Sequence, residues 1–341
     1  MHKDHSVDTT ARNEELMEGA SNAVTVCLRV RPEEKVTLIT DRETYDIGES
    51  IYSEIRKVGA RCSVFVLEDF GLRPHANMPQ EILDDLATSQ VSVYAAQGQR
   101  GELRTRMQMT AVVTKNRLRH GHMINVNPQI MQEGMRADFQ KVDEISKKVW
   151  ELAKAAKRIR TTTELGTDIT VELSPKLKWL KTSGIITPEK WGNLPGGEVF
   201  TAPLSVNGTF VVDGVVGDYL CAKYGDLRET PMTIGIKDSR MTHVSSSNRG
   251  LEKEFWHYCH TDLNSDRVGE FAIGTNIKLN RIIGHILQDE KIPGVHIAFG
   301  HPYAEHTGAD WTSSTHIDVV GTKFDIWIDE RKIMEQGRFL I

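Results

Sequence analysis

Apolar positions recur along this chain with two different spacings. In the first half, helical periodicity over residues 14–28, 46–58 and 80–86 alternates with extended-type segments over residues 36–40, 62–67 and 91–95. Apolar positions three or four apart mark helices, and short β-branched runs between them mark buried strands. That order predicts a parallel sheet with helices on its faces. Gly59-Ala60-Arg61 falls where the second helix must stop, as a helix-closing glycine should. Val142, Ile145, Val149, Leu152 and Ala156 then predict one long amphipathic helix over residues 138–160. Beyond it the spacing falls to two. Ile169, Val171 and Leu173, and later Ile234 and Ile236, alternate with polar residues as on half-buried strands. Asn207-Gly208 reads as a hairpin turn, and Asp329-Glu330-Arg331-Lys332 joins Phe324, Ile326 and Ile328 to a last extended segment. The expectation is an α/β N-terminal domain with a mainly parallel sheet, residues 1–160, and an α+β C-terminal domain rich in antiparallel strands, residues 161–341.

Composition narrows the function classes. At 341 residues the chain can bury two ample cores. A net charge of -5, with 26% charged residues of both signs interspersed, gives no basic field to gather nucleic acid or anionic lipid, so neither is an expected partner. The opening Met1-His2-Lys3-Asp4-His5-Ser6 lacks the apolar centre of a signal peptide, and no apolar run reaches membrane-spanning length. Cys27, Cys62, Cys221 and Cys259 are scattered without paired spacing, the pattern of reduced, packed thiols, and point to the cytoplasm.

Candidate chemistry sits in the last third. His296 lies in the apolar Val295-His296-Ile297-Ala298-Phe299 strand that runs into Gly300. Alone it reads as a core histidine bonded to a carbonyl. His316 and Asp318, two apart on an extended segment, share one face and can converge on one ion. Ile317, Val319 and Val320 imply partial burial there, and a buried carboxylate needs a counter-charge. Glu198, after Pro195-Gly196-Gly197, and Glu270, after Gly269, stand at turn-to-strand junctions; either alone reads as a surface residue. Together they make two histidines and three carboxylates, an N/O ligand set larger than one open tetrahedral site takes, which favours two metal ions over one. Tyr303 follows the Gly300 turn, where its phenol could stabilise an oxyanion or simply pack with a wet tip. His120, His122, His301 and His306 read as solvated or supporting residues. There is no Gly-x-Ser-x-Gly elbow, no cysteine nucleophile motif and no standard phosphate loop.

Gly197-Glu198-Val199-Phe200-Thr201-Ala202-Pro203, Gly269-Glu270, His296-Ile297-Ala298-Phe299-Gly300 with Tyr303, and His316-Ile317-Asp318 resemble the metal-binding blocks of the aminopeptidase T/aminopeptidase S metallopeptidases, in the same order and at similar spacings. Gly166-Thr167-Asp168-Ile169-Thr170 is also similar to that pattern. The resemblance covers the second half, and the first half more loosely. It implies that Glu198, Glu270, His296, His316 and Asp318 hold two divalent ions, zinc, cobalt or manganese. It also implies Tyr303 as hydrogen-bond donor to the reacting group, Glu198 as a catalytic carboxylate, small peptides as substrates and a homodimer with an enclosed interior. Which glutamate bridges the ions or accepts the proton stays open. The competing expectation is a ring-cleaving 2,5-dihydroxypyridine dioxygenase, in which His296, His316 and Asp318 alone would hold one iron. Glu198 and Glu270 discriminate, since a mononuclear iron site has no use for two more acidic ligands. A related hydrolase acting on a non-peptide amide is a third expectation.

Overall fold

The computed structural model describes residues 9–341, with side chains from residue 14; the polar opening, residues 1–6, lies outside them. The chain divides into two units, one comprising residues up to Gln140 with Gly184–Gly196, the other Lys141–Ser183 with Gly197–Ile341. The division falls near residue 140 rather than after residue 160, and a short segment returns to the first unit. The cause is packing: Val149 and Ala153 of the long helix are buried in the second unit's core with Ile159, Val199 and Phe271.

In the first unit, strands Arg61–Val66, Lys35–Thr40, Val91–Ala95, Arg119–His122 and Gly192–Asn193 form a sheet in that order. Every pairing in it is parallel. Helices Tyr45–Val58, Gln80–Ala87 and Leu103–Asn116 connect the strands, as the alternation predicts. Gly59 closes the first of these with a φ of 88° and donates its N–H to the Ile55 and Arg56 carbonyls. The periodicity over residues 14–28 is α-helical in Thr9–Ser21 and widens to a π-helix in Asn22–Cys27.

His120 and His122 do not face solvent. Both are buried, with His120 Nε2 3.1 Å from His122 Nδ1 and Ser92 Oγ 2.8 Å from His120 Nδ1. Tyr94 stacks on His122, and Trp191 packs against both rings. Burial pushes the His120 imidazole down to about 3 and holds His122 well below its usual value, so both rings are neutral at pH 7. They support the first sheet.

The second unit carries two antiparallel sheets. The larger runs in the order Arg240–Ser246, Met232–Lys237, Ser205–Val212, Asp168–Glu172, Arg158–Thr162, Asp325–Ile328, Arg331–Glu335, Arg338–Phe339. The long helix ends at Ala155, short of the expected residue 160, and Arg158–Thr162 becomes a strand that buries Ile159 and Thr161. Asn207-Gly208 is not a turn: Gly208 sits within a strand, paired with Ile236 on one side and Ile169 on the other. Asp329, at a φ of 49°, does turn the hairpin between Asp325–Ile328 and Arg331–Glu335, and one more short strand, Arg338–Phe339, follows.

The smaller sheet consists of β1 (Leu180–Thr182), β2 (Glu198–Thr201), β3 (Val268–Gly274), β4 (Gly294–Gly300) and β5 (His316–Val320), in the order β5-β4-β3-β2-β1. One of its faces, with Val199, Phe271, Ile273, Val295, Ile297, Phe299, Ile317 and Val319, belongs to the main core. The whole is a parallel α/β unit followed by an α+β unit rich in antiparallel strands. All four cysteines are free, and no helix among the described residues is long and apolar enough to cross a membrane.

Candidate metal centre

Strand register puts the expected ligands on one face of the small sheet. Ala298 of β4 lies opposite Asp318 of β5 and Glu270 of β3, while Phe200 of β2 lies opposite Ala272 of β3. Directly opposed residues share a face, as do residues two apart on one strand. Glu198, Glu270, His296, His316 and Asp318 therefore project from the face opposite the apolar core. Two glycines permit the tight strand ends. Gly197 has a φ of 133°, and a Cβ there would lie 2.8 Å from the Asn276 backbone nitrogen. Gly300 has a φ of 101°, and a Cβ there would lie 2.2 Å from the Thr315 carbonyl. Glycine alone tolerates both constraints.

His296 is at the centre. Its Nε2 lies 3.5 Å from Glu198 Oε2 and 3.4 Å from Glu270 Oε1, and it is buried with no hydrogen-bond partner among the described residues. His316 Nε2 lies 3.5 Å from Asp318 Oδ1. Two ligand atoms bound tetrahedrally at 2.0–2.2 Å lie roughly 3.4 Å apart, so these spacings suit atoms that share an ion better than hydrogen-bonded pairs. Ligand atoms of Glu198, Glu270 and His296 lie within 4.8 Å of one another, as do those of Glu290, His296 and Asp318. The donor set fits a divalent ion.

The surroundings fix these groups. His316 Nδ1 donates to the His301 carbonyl at 2.9 Å, which turns Nε2 toward Asp318, the outer hydrogen bond typical of metal-binding imidazoles. His301 is thus a supporting residue, as expected, and its Nδ1 accepts the Tyr303 N–H. His306 is exposed. Tyr303 holds a φ of 50°, and its ring packs 4.9 Å from the His316 ring and 6.2 Å from Phe200, beside the ligands.

Lys291, Glu290 and Thr182 carry no sequence expectation. Lys291 is 1% exposed, and its Nζ lies 2.8 Å from Glu198 Oε1 and 2.5 Å from Glu290 Oε1. Thr182 also donates to Glu198 Oε1, at 2.8 Å, so that oxygen is fully engaged while Oε2 faces His296. Lys291 is held by the turn before it, where Asp289 accepts the N–H groups of Ile283, Gly284 and His285. The Asp289-Glu290-Lys291 triplet reads as a solvated charge run. Its one signal is the apolar sequence on both sides, Ile286-Leu287 and Ile292-Pro293.

Four carboxylates in one buried cluster make the site hungry for cations. Burial lowers the His296 imidazolium, but the Glu270, Glu198 and Glu290 carboxylates outweigh it and raise the group to about 9. Burial likewise opposes the His316 imidazolium, and Asp318 overcomes it, to about 10. Burial pushes Glu290 up to about 8 and also raises Glu270. Against that same burial, His316 brings Asp318 down to about 2, and Lys291 and His296 lower Glu198.

The thermophilic metalloprotease (M29) family model matches residues 121–339, well over half the chain, and the protein belongs to that family. It is a metallopeptidase, a hydrolase, and the resemblance drawn from the ligand motifs stands. No curated protein matches it significantly in sequence. Two solved structures share the fold: AmpT from Thermus thermophilus, with a TM-score of 0.70, 16% identity and coverage of 96% of this chain and 99% of that one; and 2,5-dihydroxypyridine dioxygenase from Pseudomonas putida KT2440, with a TM-score of 0.70, 15% identity and coverage of 96% and 97%.

Proposed function

We propose that this protein is a metal-dependent aminopeptidase that hydrolyses the N-terminal bond of small peptides, with Glu198, Glu270, His296, His316 and Asp318 as its ligand set. The observation that carries the reading is the approach of both Glu198 and Glu270 to His296 Nε2 at ligand spacing. A bound divalent ion, zinc, cobalt or manganese, lowers the pKa of a water and polarises the scissile carbonyl. The protein's own part is orientation. Lys291 and Thr182 clamp one Glu198 oxygen, so the other is held toward His296, where it serves as ligand or accepts the water proton. Tyr303, beside His316, would donate a hydrogen bond from its phenolic O–H to the developing oxyanion. Its phenol stays protonated: although the residue is 36% exposed, desolvation on its packed side and the neighbouring Glu270 and Asp318 charges raise it above its usual value. A cavity of about 770 Å³ reaches His316, with Tyr219, Leu220 and Tyr258 beside the charged Asp218, Lys253 and Glu254 in its lining, and offers room for a substrate side chain. The five-ligand count favours two ions, and Lys291 competes for one of those ligands. A homodimer and a cytoplasmic location belong to the same reading and rest on the resemblance and the scattered thiols.

In this account Tyr303→Phe keeps its metal content and loses turnover of a leucyl-anilide by on the order of a hundredfold, the usual cost of an oxyanion donor. Metal content and initial rates measured side by side check this. Loss of metal, or unchanged turnover, removes Tyr303 from the reaction.

A second reading has its own support. Lys291 occupies a Glu198 oxygen, which leaves His296, His316 and Asp318 as the two-His-one-carboxylate set of a mononuclear iron oxygenase. The family match and the second Glu198 oxygen favour the peptidase.

A further inference from the structure

Among the described residues, the groupings of three ligands do not resolve into two separate ion positions. The two groupings among the described residues that could hold an ion, Glu198 with Glu270 and His296, and Glu290 with Asp318 and His296, both depend on the His296 imidazole. The second grouping also depends on Glu290, whose carboxylate is held by Lys291 Nζ at 2.5 Å, and the same ammonium takes Glu198 Oε1 at 2.8 Å. An ammonium bonded to two carboxylates at these distances does the electrostatic work of a metal between them. It cannot share that place with an ion, because it has no lone pair to offer and repels a second positive charge. Nor is it displaced toward solvent: Lys291 is 1% exposed, its carbonyl accepts the Asn276 N–H at 2.9 Å, and its own N–H donates to Gln288.

We propose that Lys291 is a built-in cation standing where a second metal would sit, so that each chain binds a single divalent ion centred on His296. This rests on the metallopeptidase reading of the same site and corrects its ion count from two to one. Lys291 is a positioning residue: it holds Glu198 so that only one carboxylate oxygen faces the ion.

The test is ion stoichiometry, read independently of activity. Wild-type protein, Lys291→Met and Lys291→Arg are stripped with chelator, reloaded with manganese or zinc and dialysed. Ions per chain are then counted by elemental analysis, with electron paramagnetic resonance of the manganese forms. Expected are one ion and an uncoupled manganese spectrum for wild type and Lys291→Arg. Lys291→Met, which frees both carboxylates without changing side-chain length greatly, gains a second ion and an exchange-coupled spectrum. Two ions in wild type overturn the proposal and leave the metallopeptidase reading intact. One ion in both wild type and Lys291→Met overturns the role of Lys291. No ion in wild type overturns both. The wild-type count decides even if Lys291→Met does not fold.

Discussion

His296→Gln loses divalent-ion binding and at least about a thousandfold in kcat/KM toward a leucyl-anilide, equivalent to about 4 kcal/mol of transition-state stabilisation. The imidazole belongs to both three-ligand groupings found among the described residues, so its loss leaves neither of them complete. Glutamine keeps the volume of the buried position and can bond the Glu198 and Glu270 oxygens now 3.5 and 3.4 Å from Nε2. The variant therefore folds, and the loss reports the ion rather than the scaffold. Titration calorimetry with zinc, beside circular dichroism, checks both halves. Retained tight binding would place the ion on His316 and Asp318 instead.

Glu198→Ala is expected to fail in two ways at once. Glu198 Oε2 faces His296, so its loss removes a ligand or proton acceptor and abolishes hydrolysis. Its Oε1 accepts from Lys291 and Thr182, so alanine also strips a buried ammonium of one partner. Breaking a buried pair from one side costs about 3–5 kcal/mol, since the other charge stays desolvated. Chemical denaturation should show a loss toward the lower end of that range, because Glu290 still pairs the ammonium, and Lys291→Met added to Glu198→Ala should recover part of it, because no half-paired ammonium then remains. Turnover should not return in the double variant. A Glu198→Ala protein as stable and active as wild type would mean that neither the clamp nor the ligand role is real.

The common placement of the expected ligands was legible because each sits in a short motif whose apolar neighbours already place it. Val295, Ile297 and Phe299 bury one face of β4 and leave His296 on the other, and Ile317 and Val319 do the same for His316 and Asp318. Alternation along a strand carries that information, so the common face of the ligands follows from the sequence once the strands pair in register. Glu290 and Lys291 were not legible, since a charged triplet ahead of a strand reads as solvated. What buries Lys291 is Glu198, a partner distant in sequence that only the folded sheet brings near. The fold shows the same divide. Alternating helices and strands announced the parallel sheet, yet Ile159 continues both a helical spacing from Ala156 and a strand spacing with Thr161, and only its pairing with Val171 and Ile328 decides for the strand. Asn207-Gly208 carried a local turn signal that hydrogen bonding on both sides of Gly208 overrode. His120 and His122 looked free because nothing local shows Trp191 returning to cover them.

The proposed activity is amide hydrolysis at a free N-terminus by a metal bound to this face. It is tested most directly by reloading chelator-stripped protein with zinc, cobalt, manganese or anaerobic ferrous iron, and following leucine release from leucyl-anilide beside oxygen uptake with 2,5-dihydroxypyridine. Expected is metal-dependent leucine release, absent from the stripped protein and from an N-acetylated substrate, with no oxygen uptake. Iron-dependent oxygen consumption without leucine release would contradict it and assign His296, His316 and Asp318 to a ring-cleaving oxygenase.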